Sequence, residues 1–426
     1  MALNGTRSFV GFGFGPIQAG LFLYEAFLSG GFRRLVVAEV VEEVVHAIRQ
    51  ASGHFSVNIA RADRVESVRV GPIEILNPAC PQDRPRLIDA VAGADEMATA
   101  LPSVRHYASD APGSVHRLLA EGLKLKAARG GPRTIVYAAE NHNHAAEILN
   151  EKAMSALTAA ERESASSGVR FLNTVIGKMS GVISDDKLCP QTLLPIAPGL
   201  DRAFLVEEFN RIFISSIRFD GAKASVFKRG IRVFEEKEDL LPFEEAKLYG
   251  HNATHALAAY VGAVRGVQRI SDLRDHPGIM KFLRAAFIAE SGAALVRRHR
   301  GVDDLFTEDG YRIYAEDLLA RMVNPFLQDS VERVGRDIVR KLGWDDRLTG
   351  TVRMALRQGV VPKRYAFGIA AALARDGKPD ALPLEEMWRN SQPDPGEKAS
   401  VLKLVEEAQT RLRDWVESGF PDLEPE

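Results

Sequence analysis

The hydrophobic pattern of the first forty residues predicts a strand, a glycine-rich turn, a helix and a second strand. The segment RSFVGFGF runs from an apolar strand into glycine, and AGLFLYEAFLSGG has apolar positions at helical spacing. The next segment, RRLVVAEV, is an apolar run typical of a buried strand and carries Glu39 near its end. An acidic residue at the end of the second strand of such a unit is typical of a dinucleotide-binding site.

The alternation of helix and strand continues beyond this unit. It predicts a helix in VEEVVHAIRQA and strands in VESVRVGPIEIL, GGPRTIVYAAEN, FLVEEF, RIFISSIRF and KASVFKRGIRVFEE.

After about residue 240 the strand patterns stop and helical patterns follow. The predicted helices lie in HALAAYVGAVRG, GIMKFLRAAFIAESGAALVRRH, YAEDLLARMV, LQDSVERVGRDIVRKLG and VLKLVEEAQTRLRDWVES, with DALPLEEMWRNSQPDPGEKAS as an irregular connection before the last one. We therefore predict an α/β fold, in which a Rossmann-like dinucleotide-binding domain with added strands (residues 1–235) precedes an all-α substrate-binding domain (residues 236–426).

Composition and charge narrow the class of protein. A chain of 426 residues is long enough for two domains, and a net charge of −2 provides no general attraction to nucleic acid or anionic lipid. The first residues do not have the pattern of a secretory signal, and no apolar run in the sequence is near the roughly 18 residues of a membrane span. Two distant cysteines, Cys80 and Cys189, argue against a disulfide framework, a cysteine zinc site and an iron–sulfur cluster. We expect a cytoplasmic protein, a monomer or small homo-oligomer, that binds neither nucleic acid nor membrane.

The glycine-rich turn suits a dinucleotide pyrophosphate. Gly13 permits a tight turn, and Gly15 lets the phosphates approach the backbone amides at the helix N-terminus. Glu39 would accept hydrogen bonds from the adenosine ribose and repel a 2′-phosphate, which favours NAD over NADP. The third glycine position holds Gln18 instead, and a purely structural glycine turn remains an alternative. The predicted cofactor-binding residues are Gly13, Phe14, Gly15, Pro16, Ile17, Gln18, Glu39 and Ala100.

The most concentrated candidate chemistry lies in LLPFEEAKLYGHNATHALAAYVG, residues 240–262. Asn252 and His255 are three residues apart and share a helix face, whereas Lys247 comes more than a turn earlier. Alcohol oxidation needs a base, and burial would have to lower the lysine pKa from about 10.4 to about 7–8. Asn252 could donate to the developing alkoxide and His255 could hold a neighbouring hydroxyl.

Other interpretations of the same residues, without a catalytic role, are also open. Lys247 could be a solvent-exposed lysine on a helix, and His255 could be a buried histidine whose ring nitrogens are hydrogen-bonded within the core. His251 and His255, four residues apart, could also suggest a metal pair, but the absence of a nearby cysteine and of the H-E-x-x-H order argues against metal.

The spacing of lysine, asparagine five residues on and histidine eight residues on resembles the signature of the polyol-specific long-chain dehydrogenases, the mannitol dehydrogenase family. The resemblance implies metal-free catalysis in which Lys247 is the base and Asn252 and His255 bind the reacting alcohol. It also implies that Asn141, after Glu140, completes the alkoxide site. Glu244, three residues before the lysine, would help to conduct the proton.

A basic segment from Asn324, NPFLQDSVERVGRDIVRKLGWDDRL, contains four cations that would share one broad face of a continuous helix, either as a phosphate or polyol clamp or as a solvated face. Together with GIAAAL at 368–373 it is similar to the branch of that family that acts on mannitol 1-phosphate. The similarity implies substrate binding by Arg333 and Lys341. The cations are Arg333, Arg336, Arg340 and Lys341, and we count Arg336 among the predicted substrate-binding residues.

One departure concerns substrate recognition. The family usually carries a V-D-R triplet whose aspartate touches substrate hydroxyls, and this chain has Ile176-Gly177-Lys178 there. A missing carboxylate at Gly177 would change which hydroxyls are recognised. The last fifty residues also exceed the usual length of the phosphate-polyol enzymes.

The activity implied by the resemblance is NAD-dependent, reversible oxidation of mannitol 1-phosphate to fructose 6-phosphate. A dehydrogenase of a free polyol or of a sugar acid such as a hexonate is the alternative within the same chemistry. A catalytically silent NAD-binding sensor is the alternative from another class.

Overall fold

The computed structural model describes residues 5–184, 193–208, 211–219, 227–327, 329–375 and 383–423. Cys189 lies outside these residues, and Cys80 is a free thiol. The chain divides into two compact units, Met1–Leu241 and Pro242–Glu426.

The first unit contains two sheets in its described residues. The larger sheet has the strand order β12-β11-β8-β7-β6-β1-β2-β5, and the smaller has the order β4-β3-β10-β9. Strands β5, β2, β1, β6, β7 and β8 are mutually parallel, while β11 runs antiparallel to β8. The strands are β1 (Arg7–Phe12), β2 (Phe32–Ala38), β3 (Phe55–Ala60), β4 (Val65–Val70), β5 (Glu74–Leu76), β6 (Glu96–Thr99), β7 (Thr134–Ala138), β8 (Val169–Ile176), β9 (Ser180–Ser184), β10 (Arg202–Glu207), β11 (Ile212–Ser215) and β12 (Phe234–Lys237).

Both faces of the larger sheet are covered, which is why its strands are apolar runs. On β1, Phe9 points into one core cluster and Val10 into another, because successive side chains of a strand point to opposite faces. The cluster around Phe9 includes the smaller sheet, and the cluster around Val10 includes helices. The helices of this unit are α1 (Tyr24–Ser29), α2 (Glu42–Gln50), α3 (Asp83–Gly93), α4 (Val115–Arg129), α5 (Ala145–Ser155) and α6 (Ala159–Ser166), and a π-helical segment, Gln18–Leu23, leads into α1.

The strand predicted in KASVFKRGIRVFEE is much shorter than expected. Only Phe234–Lys237 is a strand; the preceding described residues are irregular, and residues 223–226 lie outside the described ranges. The reason is that this backbone bonds to side chains rather than to a neighbouring strand. Glu96 accepts a hydrogen bond from the Gly230 amide, and the Arg229 guanidinium donates to the carbonyls of Ile231 (3.3 Å) and Phe234 (2.7 Å).

The described part of the second unit is helical, and its helix α8 (Ala253–Arg265) is buried along most of its length. None of the described helices is both long and apolar enough to cross a membrane. The helices are α7 (Leu241–Glu245), α8 (Ala253–Arg265), α9 (Pro277–Ala285), α10 (Ala293–Arg298), α11 (Glu308–Met322), α12 (Val331–Gly335), α13 (Ile338–Lys341), α14 (Arg347–Arg357), α15 (Lys363–Arg375), α16 (Leu384–Met387) and α17 (Pro395–Glu417), with π-helical segments at Ala246–Asn252 and Ala286–Gly292.

The continuous basic helix predicted between residues 327 and 343 is wrong. It is broken after α12, where Arg336 is extended and Asp337 is left-handed, with φ 59°. Glycine at 335 weakens the helix there, and aspartate tolerates the left-handed conformation better than most residues. The four cations therefore do not share one face, since Arg336 and Arg340 are exposed and Lys341 is buried.

The irregular connection predicted before the last helix is also partly wrong. It contains α16 and a short 3₁₀ turn at Arg389–Ser391, and α17 begins at Pro395. Proline suits the first turn of a helix, and the Asp394 side chain accepts from the Glu397 amide, which caps that turn.

Candidate active site

The glycine turn of the first unit requires glycine at its first position. Gly13 has φ +85°, and its amide donates to the Ala38 carbonyl at 2.9 Å. A Cβ atom at Gly13 would come within 3.0 Å of the Ala100 carbonyl oxygen. The turn therefore needs both the conformational freedom and the small size of glycine.

Gly15 has a different role in the same turn. Its carbonyl accepts from the Ala19 amide at 2.9 Å, so it precedes a helix that begins at Pro16. A Cβ atom on Gly15 would meet no atom within 4 Å, which leaves the backbone open to a ligand. A helix N-terminus with an accessible backbone is a favourable place for a phosphate group.

The Glu39 carboxylate closes the turn from the other side. It accepts from the amides of Phe14 (2.8 Å), Val40 (2.7 Å) and Val41 (2.8 Å). Two carboxylate oxygens offer about four acceptor sites, so capacity remains for a ribose hydroxyl. The Phe14 ring anchors the turn through edge contacts with Phe55, at a ring-centroid distance of 5.0 Å.

A cavity of about 1090 Å³ lies beside this turn, within the first unit. It exceeds the roughly 300–1,000 Å³ typical of small-molecule and cofactor sites, so it has room for a dinucleotide. Gln18 does not line it, because its side chain is buried against Gly11. Sequence reasoning missed Arg84, His106 and Arg202, which line it. The lining includes the predicted residues Gly13, Phe14, Gly15, Pro16, Ile17, Glu39 and Ala100.

Glu140 is a buried anchor that the sequence did not reveal. Its carboxylate accepts from the Thr99 hydroxyl (2.8 Å), the Leu101 amide (2.8 Å) and the Tyr107 hydroxyl, and burial raises its pKa. It thereby holds the chain that follows β6 beside the cavity. Asn141, the next residue, is exposed beyond the end of β7.

Two further candidate positions follow β8. Gly177 comes directly after Ile176, the last residue of that strand, and the adjacent Lys178 is buried. Gly177 thus provides no side chain at the position where the resemblance implies a carboxylate, and the basic residue that would follow it is present as Lys178.

In the second unit, Lys247 and Asn252 lie in one π-helical segment, Ala246–Asn252. A π-helix joins residues five apart, so it brings these two side chains toward the same face. Lys247 still precedes Asn252 by slightly more than one helical turn, and what α-helical spacing did not predict is that the two residues share a face. His255 follows in α8, three residues beyond Asn252.

The charge state of this cluster is set mainly by burial. Burial and, to a smaller extent, the positive charge of Arg347 lower the pKa of Lys247 to about 8, although Glu244 acts in the opposite direction. Burial also lowers the pKa of His255 to about 3, with contributions from Arg333, Lys341 and Arg347. Lys247 is thus partly neutral near pH 8, and His255 is an uncharged imidazole.

His251 is likewise uncharged, because burial lowers its pKa well below the ordinary value, and its ring lies 6.3 Å from that of His255 between centroids. Within the described ranges, no three His, Cys, Asp or Glu side chains are grouped so that they could hold a metal ion. Metal-free catalysis stays a prediction.

The predicted substrate-binding cations lie in different settings. Arg333 forms an ion pair with Asp329, whose carboxylate is also 3.8 Å from the His255 Nε2 atom. The Lys341 ammonium donates to the Arg336 carbonyl, and burial lowers its pKa to about 8. The structure thus brings Arg333 and Lys341 near His255, whereas the Arg336 side chain is exposed.

Residues 239–392 match the family model of the mannitol dehydrogenase C-terminal domain. The mannitol-1-phosphate 5-dehydrogenase of Bacillus licheniformis is 31% identical over 379 residues, which cover 88% of this chain and 90% of that protein. The enzyme of the same name from Bacillus pumilus is 32% identical over 369 residues, covering 86% and 87%. The chain belongs to the mannitol dehydrogenase family.

Solved structures of this kind have the same fold. The Pseudomonas fluorescens mannitol 2-dehydrogenase, in ternary complex with NAD and D-mannitol, matches with a TM-score of 0.68 at 16% identity, covering 97% of this chain and 93% of that one. A substrate-free D-sorbitol dehydrogenase matches with a TM-score of 0.76 at 16% identity, covering 98% and 96%. The predicted fold class and family are confirmed, and the chain is an oxidoreductase of the polyol dehydrogenase type.

Proposed function

We propose that this protein is an NAD-dependent dehydrogenase that interconverts mannitol 1-phosphate and fructose 6-phosphate. The observation that carries the proposal is the π-helical placement of Lys247, with its lowered pKa, on the face of Asn252. The names of the two Bacillus relatives support the substrate.

The first unit holds NAD. The backbone at Gly13 and Gly15 binds the pyrophosphate at the start of the helix, and the remaining acceptor capacity of Glu39 binds the adenosine ribose. The open space above Gly15 and the size of the cavity fit this cofactor. When bound, NAD supplies the acceptor for the hydrogen and electron pair that leave the alcohol carbon.

The second unit supplies the proton chemistry. Neutral Lys247 takes the proton of the substrate hydroxyl, and Glu244 helps to pass it on. Asn252 donates to the oxygen as negative charge develops on it, and Asn141 is the second donor. His255, as an uncharged imidazole, hydrogen-bonds a neighbouring hydroxyl and does not compete for the proton.

The phosphate end of the substrate is held by Arg333 and Lys341. Both cations influence His255, so they are close to the reacting part of the site. Arg336 contributes its carbonyl to Lys341 rather than its exposed side chain.

A dehydrogenase of a free polyol or of a sugar acid is the second candidate. Its supporting observation is that Arg333 is already paired with Asp329, while Gly177 stands where the resemblance implies a substrate-binding carboxylate. A smaller anion such as a carboxylate would need fewer hydrogen bonds from the Arg333 guanidinium than a phosphate group would.

The test is NADH formation by the purified full chain with mannitol 1-phosphate, mannitol and a hexonate side by side. We expect the phosphorylated substrate to have the highest kcat/KM by about 10- to 100-fold, because charged hydrogen bonds contribute roughly 1.5–3 kcal/mol each. Turnover of only the unphosphorylated compounds would remove the phosphate assignment. NAD binding without turnover of any compound would instead favour the silent sensor.

A further inference from the structure

Arg347 is a mostly buried cation that neither the sequence motifs nor the family signature singled out. It is the first residue of α14, and its side chain is only 12% exposed. Among the described residues its guanidinium donates to one acceptor, Asp346 Oδ1, at 2.7 Å. A guanidinium carries five N–H donors, so one carboxylate oxygen leaves most of this group's capacity unused.

Two threonine hydroxyls fix the beginning of α14. Thr349 donates to the Leu342 carbonyl at 2.8 Å, and the Thr351 hydroxyl, which contacts the Arg347 carbonyl of its own helix, also lies 3.2 Å from the Tyr249 carbonyl. Leu342 directly follows Lys341, and Tyr249 lies two residues after Lys247 in the π-helical segment. Arg347 is therefore held between the segment that carries Lys341 and the segment that carries Lys247.

Close packing makes this placement rigid. A Cβ atom at Gly350 would come within 2.7 Å of the Tyr249 ring and 3.0 Å of the Asp345 backbone. The first turn of α14 therefore packs against the π-helical segment at a distance that only glycine allows.

Another arginine of the same helix shows how a structural cation is accommodated here. Arg353 is also buried, but it donates to the Trp344 carbonyl (2.8 Å), pairs with Asp345 (2.5 Å) and Glu397 (3.2 Å), and lies over the Trp344 ring. Arg347, by contrast, has one acceptor and faces other cations: its charge lowers the pKa of both Lys247 and Lys341. Such a gathering of positive charge is favourable when an anion binds to it.

We propose that Arg347 binds the anionic end group of the substrate, a phosphate monoester, and together with Arg333 and Lys341 makes the site specific for phosphorylated polyols. This inference rests on the proposed function, since it assigns a further residue to the same site. Arg347 is the best placed of the three to make a bidentate contact, because its side chain is 12% exposed whereas that of Arg333 is 43% exposed, and lysine has no planar fork.

The test compares Arg347→Gln and Arg347→Lys with a matched control, Arg357→Gln. Arg357 lies on the same helix, is 55% exposed and pairs with Glu397. For each full-length protein, KM and kcat are measured with mannitol 1-phosphate and with mannitol at one pH, and fructose 6-phosphate binding is measured by calorimetry. Because both substrates use the same base, a change in the Lys247 pKa alters the two kcat values alike and leaves the substrate preference unchanged.

We expect Arg347→Gln to raise the KM for mannitol 1-phosphate and the Kd for fructose 6-phosphate by about 10- to 100-fold, with little change in the KM for mannitol. Arg347→Lys keeps the charge but loses the bidentate geometry, so its loss should be intermediate, which also shows that the site folds. The control should match the wild type.

Equal losses on both substrates, or an unchanged Kd for fructose 6-phosphate in Arg347→Gln, would overturn the assignment of Arg347 while leaving the proposed function intact. If the wild type itself does not prefer the phosphorylated substrate, the proposed function and this inference both fail.

Discussion

The glycine turn of the first unit lies at the start of a helix, whereas the lysine segment of the second is a π-helical stretch between two α-helices, and the two work by different means. The turn presents backbone groups: Gly13 supplies a positive φ, and Gly15 leaves open space at the helix N-terminus. The lysine segment presents side chains whose positions depend on π-helical register. One site therefore depends on the absence of Cβ atoms and the other on the rotation of a helix.

This difference explains why the two sites tolerate different changes. Gln18 stands where a third glycine is usual, yet the turn still forms, because that side chain is buried against Gly11 and away from the cavity. In the lysine segment, an α-helical register would turn Lys247 away from Asn252. Substitutions at the glycine turn should therefore affect cofactor binding, and substitutions in the lysine segment should affect proton transfer.

The largest effect is expected from Lys247→Ala. Removal of the base should lower kcat for polyol oxidation by about 10²- to 10⁴-fold, because that is the usual contribution of general acid–base catalysis. NAD affinity, measured by fluorescence titration, should be unchanged, since the predicted NAD site lies in the first unit. Lys281→Ala, an exposed lysine of α9, is the control and should retain full activity. Unchanged turnover in Lys247→Ala would remove this residue as the base.

Glycine substitutions should break the first site in two distinct ways. Gly15→Ala should leave the melting temperature unchanged but weaken NAD binding by about 10- to 100-fold, because a methyl group would occupy the open approach to the backbone. Gly13→Ala should cost about 1–3 kcal/mol of stability, because of its positive φ and its contact with Ala100.

Gly93→Ala is the control for both, since Gly93 has no positive φ and no atom within 4 Å of an added Cβ. Normal NAD affinity in Gly15→Ala would show that the cofactor does not approach the backbone there.

The pH dependence of the reaction tests whether Lys247 acts as the base in the second unit. Because the pKa of Lys247 is about 8, the neutral base predominates above pH 8 and disappears below it. We expect kcat/KM for oxidation to rise about tenfold per pH unit below pH 8 and to level off above it, while ketone reduction, which needs protonated Lys247, falls above that pH. Arg347→Gln should move the midpoint upward, because Arg347 lowers this pKa. A pH-independent oxidation rate between pH 6 and about 9 would contradict a titrating lysine base.

The smallest expected effect concerns the C-terminal segment. Trp388 is fully buried, and its indole N–H donates to the Leu342 carbonyl at 2.7 Å, directly after Lys341. Trp388→Phe should lower the free energy of unfolding by about 1–3 kcal/mol and raise the KM for the phosphorylated substrate a few-fold.

Trp415→Phe is a matched control, because Trp415 is buried and donates to the Pro421 carbonyl at 2.8 Å. It should cost similar stability without changing KM. Equal changes of KM in both variants would show that Trp388 has no special connection to the site.

The spacing of apolar residues and glycines correctly predicted strands and turns, because these elements depend on residues that are close together in the chain. The apolar runs around Phe9 and Val36 became central parallel strands, and the glycine spacing placed the turn at Gly13 correctly. The cations between Arg333 and Lys341 were identified, but their arrangement on one helix face was not, because the break at Asp337 leaves no clear periodic signal.

The sequence by itself determined the fold class, the family and the candidate residues Lys247, Asn252 and His255, because these depend on residue type and spacing along the chain. The tertiary structure alone decided the π-helical register that brings Lys247 toward Asn252 and the burial that lowers the lysine pKa. It also decided that Arg347 is near both Lys247 and Lys341. Desolvation and Coulomb interactions depend on distance in space, and residues a hundred positions apart in the chain carry no local record of that distance.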